Sequence, residues 1–164
     1  MEMRGVRGVH SSPLAIATYL HELRPIVNRV TARHREWIRD IGRLLEDARH
    51  STSHQMAIRS AQIGRAEIQA FREARAEISA LMPPPECVAV TRAALDWVEA
   101  HVQACELMVE IGASDQIARL PQVQQMLGDG RRHAHRFNSA YLELLTMLRR
   151  SIEAAHQRPA KQAS

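Results

Sequence analysis

From Ile16 onward, apolar residues recur at alternating spacings of four and three: Ile16, Leu20, Leu23, Val27, Val30, then Trp37, Ile41, Leu44 and Ala48. Only His34 interrupts the series, which runs for more than four heptads. A spacing of three and four keeps one stripe of a 3.6-residue helix apolar, whereas a strand would alternate with a period of two. A chain built this way folds into long helices packed along their seams. The poverty in aromatic residues (4%) points away from sheets.

Three more such runs follow. Ser11-Ser12-Pro13 signals the start of the first helix, Pro25 predicts a kink or an early break in it, and Arg49 marks its end. A second run extends from the hydroxyl cluster Ser51-Thr52-Ser53 to about Met82. Its small seam, Ala57, Ala61 and Gly64, predicts close approach by a neighbouring helix. The triplet Pro83-Pro84-Pro85 stops it.

The third run starts near Glu86, with Val88, Thr91, Leu95, Val98, Val102, Cys105 and Val109 on its seam and Gly112 as its expected stop. The fourth starts at Pro121 and carries Val123, Leu127, Gly130, Ala134, Phe137, Tyr141, Leu144 and Leu148, then Ile152 or Ala155, in one phase. That phase crosses Gly128 and Gly130, predicting one bent helix.

Four long amphipathic helices with short capped connections make an all-α, antiparallel up-down-up-down four-helix bundle. Two long hairpins that complete a core by dimerising are the alternative. The expected boundaries are a flexible N-terminal arm over 1–10, the bundle over 11–158 and a disordered C-terminal tail over 159–164.

No apolar run approaches the roughly 18–20 residues of a membrane span, and the N-terminus lacks the apolar core of a secretory signal. Cys87 and Cys105 lie 18 positions apart on one predicted helix. That separation is about 27 Å, too far for a disulfide, so free thiols and a cytoplasmic location are expected. Of the two, Cys87 beside the proline turn is the more reactive candidate, but with no base identifiable near it a bystander surface thiol is the favoured expectation.

The net charge of +4 hides an asymmetry: residues 85–118 carry −5 and residues 119–164 carry +5. Mutual screening of these two segments weakens the nucleic-acid role that the basic composition suggests. The cluster Arg131-Arg132-His133-Ala134-His135-Arg136 is basic, but no recognition-helix pair or stacking platform accompanies it.

Nine histidines invite a search for metal ligands. His50 and His54 span a predicted turn. Glu153-Ala-Ala-His156 is the only Glu-x-x-His and sits at a helix end, which excludes ferritin-like di-iron chemistry. Phosphate-binding loops and nucleophile elbows are absent from the sequence.

Height along the bundle is more informative. At about 1.5 Å per residue, His34, Glu67, His101, Cys105 and His133 all fall near mid-bundle, at roughly 28–34 Å. His34, His101, Cys105 and His133, with Glu67 as a further ligand, could hold zinc or another transition metal, or the histidines a haem. A hydrogen-bonded polar layer that sets helix register is the competing expectation.

The leading functional expectation is a non-enzymatic bundle acting through protein–protein contacts, as a scaffold, adaptor or regulatory protein, with a partner or with itself as a homodimer. A metal- or haem-binding bundle is the alternative. A weaker one is a binding or sensor domain for a small apolar ligand, lined by methionines such as Met126 and Met147.

Overall fold

The computed structural model describes residues 10–158 and consists of four long helices with no strand among those residues. They are α1 (Pro13–Glu46), α2 (Ser53–Ala80), α3 (Val88–Ser114) and α4 (Leu120–Gln157), joined by single 3-10 turns. Of the predicted arm over 1–10, residues 1–9 lie outside the described residues, as does the predicted tail over 159–164.

Each start has a local cause. Ser12 caps α1 by accepting a hydrogen bond from the Ala15 amide at 3.1 Å, with Pro13 at the first helical position. Of the three hydroxyl residues before α2, Thr52 is the cap, because only Thr52 has a glutamine three residues on. The Gln55 amide donates to Thr52 Oγ1 at 3.1 Å, and the Thr52 amide donates to Gln55 Oε1 at 2.9 Å.

Two predicted stops fall elsewhere. α1 runs through Pro25 unbroken and ends at Glu46, with a 3-10 turn over Asp47–His50. The missing proline amide costs one intrahelical bond, and the buried neighbours Leu23 and Ile26 hold the helix across it. α3 continues past Gly112 to Ser114, and Asp115 takes the left-handed conformation (φ 53°) that ends it.

Gly112 is a packing residue. A Cβ there would lie 2.2 Å from Ala61 Cβ and 2.9 Å from the Ala57 carbonyl oxygen. Gly64 plays the reciprocal part, since its Cβ would lie 2.7 Å from the Cys105 carbonyl oxygen. The small seam of α2 thus brings α2 and α3 into close contact, as its composition predicts.

Cross-helix pairs fix the directions. Arg29 meets Glu77 and Arg33 meets Glu67, so α1 and α2 are antiparallel. Arg75 meets Glu99 and Arg72 meets Glu106 between α2 and α3; Asp96 meets Arg136 between α3 and α4. The chain is an all-α, up-down-up-down four-helix bundle.

Trp37, Phe71, Leu44, Ile78 and Met108 are fully buried at its centre. Val88, assigned to the α3 seam by its spacing, is 47% exposed; Cys87, Val90 and Thr91 turn inward instead. α3 packs closely on both α2 and α4, whereas α1 and α4 barely touch. A cleft therefore runs between the first helix and the last. No helix among the described residues is long and apolar enough to cross a membrane.

Candidate functional site

The polar layer lies at the head of that cleft. His101 sits one turn after Trp97 on α3, and its Nδ1 is 2.7 Å from the Trp97 carbonyl oxygen. A carbonyl only accepts, so Nδ1 carries the proton. In the neutral ring Nε2 is then an acceptor. His34 of α1 approaches it with Nδ1 at 2.7 Å and must be the donor. The chain of tautomers leaves His34 Nε2 as a lone-pair acceptor with no partner among the described residues.

Aromatic rings enclose this pair. The His101 ring centroid lies 4.7 Å from Phe71, 5.2 Å from Trp97 and 5.4 Å from Trp37. Burial in that box pushes the His101 pKa down to about 4, against the Trp97 carbonyl, which favours the proton, and with His34, which disfavours it. The His34 pKa is also lowered, first by burial and then by Arg131 and Arg35. Both rings are neutral at pH 7. Trp37 Nε1 is buried without an acceptor.

The other candidate ligands stand apart from the pair. Glu67 is buried and faces Arg33, with 3.0 Å between Arg33 Nε and Glu67 Oε2. Burial raises its pKa, Arg33 lowers it, and Glu36 and Asp40 raise it. Cys105 is fully buried, and burial together with Glu67 and Glu106 pushes its thiol up to about 12, with Arg72 opposing. It is a packed thiol, not a thiolate ligand, at neutral pH.

His133 shares the height but not the direction. Its Nδ1 contacts Arg136, and its ring borders a shallow polar recess with Asp96, Glu99 and Gln103 of α3. Of the five predicted residues, the structure brings His34 and His101 into contact, pairs Glu67 with Arg33 and His133 with Arg136, and packs Cys105 in the core. Among the described residues no three His, Cys, Asp or Glu side chains are grouped to hold a metal. A closed tetrahedral zinc site takes four protein ligands and a catalytic one three, where the pair supplies two nitrogens. The two rings are in direct hydrogen-bond contact, which leaves no space for a haem between them.

Cys87, the more reactive candidate, is not a surface thiol but fully buried, and burial with the neighbouring Glu86 raises its pKa, so it is not reactive. Glu86 faces the other way and accepts a hydrogen bond from the Ser11 amide at 2.8 Å. His50 and His54 are exposed, and His54, at the start of α2, pairs with Asp115 at the end of α3.

Against the His34 ring, between α1, α3 and α4, lies a cavity of about 290 Å³. Its wall includes Trp37, Trp97, Met126, Leu127, Phe137 and Arg131. The sequence signals that could have found it are His34 and Trp37 one turn apart on α1, and Trp97 and His101 one turn apart on α3. No protein-family model, curated protein or solved structure matches the chain.

Proposed function

We propose that this chain is a non-enzymatic bundle that works through protein–protein contacts, as a scaffold, adaptor or regulatory protein in the cytoplasm. Its first partner is a second copy of itself. One observation on α4 carries this. Only Leu120, Val123, Gly130 and Leu144 of its 38 residues are buried. Its second half leaves Leu142 63% and Ile152 53% exposed, with Leu145 also open to water.

Leu142, Leu145, Arg149 and Ile152 are spaced by three, four and three, and so share one face of the helix. An apolar stripe that its own bundle leaves uncovered is the surface a partner helix buries. The stripe suits two-fold pairing. Antiparallel contact of two copies sets Leu142 against the partner subunit's Ile152, and Leu145 against the aliphatic stem of the partner subunit's Arg149.

The charges of α3 do not offer a competing surface. Arg72, Arg75, Arg119 and Arg136 already pair with Glu106, Glu99, Glu110 and Asp96. The two buried, free cysteines suit a reducing compartment.

Light scattering on the full chain tests the proposal. The expected molar mass is about twice 18.5 kDa, falling to the monomer value when Leu142→Glu and Ile152→Glu are combined. A monomeric wild type that also captures no protein in pull-downs contradicts it. A transition metal would have to displace the His34–His101 hydrogen bond to gain both rings as ligands, and the metal content of the purified protein tests that second reading. A content well below one metal per chain, with no Soret band, excludes it.

A further inference from the structure

The cavity beside His34 has a chemistry that the α4 face does not use. Its wall is mainly apolar and largely aromatic, with Trp97 contributed by α3 and Phe137 by α4. Few polar groups reach it. The Thr31 hydroxyl already donates to the Val27 carbonyl at 2.9 Å, and Arg131 and Asn138 stand at the exposed rim. His101 is saturated, with Nδ1 donating to Trp97 and Nε2 accepting from His34.

What remains among the described residues is His34 Nε2, an acceptor, and Trp37 Nε1, a buried donor without a partner. The order of tautomers fixes His34 Nε2 as an acceptor: the Trp97 carbonyl sets the proton on His101, and His101 in turn sets the proton on His34. An acceptor with no partner among the described residues, on a ring that lines an aromatic cavity, selects a molecule that brings a donor.

We propose that this cavity binds a small uncharged aromatic molecule of one or two rings that carries a hydroxyl or N–H group. Its rings lie among Trp97, Phe137 and Met126, and its donor goes to His34 Nε2. The size follows from the volume, which is at the lower end for ligand sites. The neutrality follows from the surroundings. Arg131 at the rim and Arg35 nearby repel a cation, and the aromatic wall desolvates any charge. A site built to accept a hydrogen bond rejects an analogue lacking the donor, because the acceptor is then left unpaired.

The test compares 2-naphthol with 2-methoxynaphthalene, which has the same rings and no donor, by calorimetric titration of the full chain. The expected result is binding of 2-naphthol roughly tenfold tighter than its ether. In His34→Leu the two probes should bind within about twofold of each other.

Gly130→Leu gives an independent check that leaves the histidines intact. Gly130 lines the cavity, and a Cβ there meets only Ala100 Cβ at 3.7 Å, so the longer side chain projects into the cavity. It should remove binding of both probes while the helical circular dichroism is retained. Failure of wild type to bind 2-naphthol, equal affinity for the two probes, or a preference that survives in a folded His34→Leu variant would each overturn the proposal.

Discussion

At His101, the burial that holds the imidazole pKa down to about 4 makes the fold sensitive to acid. An unfolded histidine takes up its proton near pH 6.5, while the folded one stays neutral until about pH 4. Between those values the unfolded state binds more protons, so stability falls as pH drops from 6.5 towards 4 and levels off below. The loss is roughly 3 kcal/mol. His34 acts in the same direction. Glu67 acts in the opposite one, because its raised pKa means that acid relieves a buried charge. The urea midpoint of wild type should therefore fall more steeply between pH 7 and 4.5 than that of His101→Gln; parallel profiles would refute this account of His101.

The two thiols make a second prediction at this scale. Cys87 and Cys105 are both fully buried with raised pKa values. Ellman's reagent should label neither in the native protein within minutes and both in urea. Rapid labelling of Cys87 would contradict the packing described for the start of α3. In the sequence Cys87 reads as the more reactive candidate because its neighbours are a proline turn and a helix start, and burial by distant helices leaves no local trace. The His34–His101 contact was legible for the opposite reason. Rise along a helix is regular, so heights can be counted. Direction around the axis turns about 100° per residue, and a small phase error moved His133 from the layer to the α3–α4 flank.

Among the elements, glycines separate into two kinds that look alike in sequence. Gly42 and Gly128 lie in helices with no atom within 4 Å of a Cβ built on them. Gly42→Ala and Gly128→Ala should each stabilise the fold by about 0.5–1 kcal/mol through helix propensity alone. Gly112→Ala pushes α2 from α3 and should cost about 1–3 kcal/mol. Thermal melts of the three variants check the signs, and a stabilising Gly112→Ala would contradict the close α2–α3 contact. In the sequence Gly112 reads as a helix stop, because a glycine at the end of an apolar period has the same neighbours whether it caps or packs. The seams are legible over most of their length; they fail at the ends, where Ala48, Val88 and Ile152 stand in water.

On the scale of the whole molecule, periodicity reports which face of each helix is apolar but not which faces close on one another. The four-helix architecture could be read in advance; the cleft between α1 and α4 could not. The opposite charges of the third and fourth segments do meet, through Arg136 with Asp96 and Arg119 with Glu110, while α2 supplies Arg72 and Arg75 to the other side of α3. Such exposed pairs contribute about 0–1 kcal/mol each, so they set register more than stability. The stripe of Leu142, Leu145 and Ile152 on the second half of α4 is uncovered among the described residues, and it is the surface through which we propose that copies meet. Hydrogen exchange over residues 140–157 at two protein concentrations tests this most directly. Amides around Leu142, Leu145 and Ile152 should gain protection as the protein is concentrated, while those of α3 stay unchanged. Exchange in that stretch that is fast and identical at both concentrations would contradict the account.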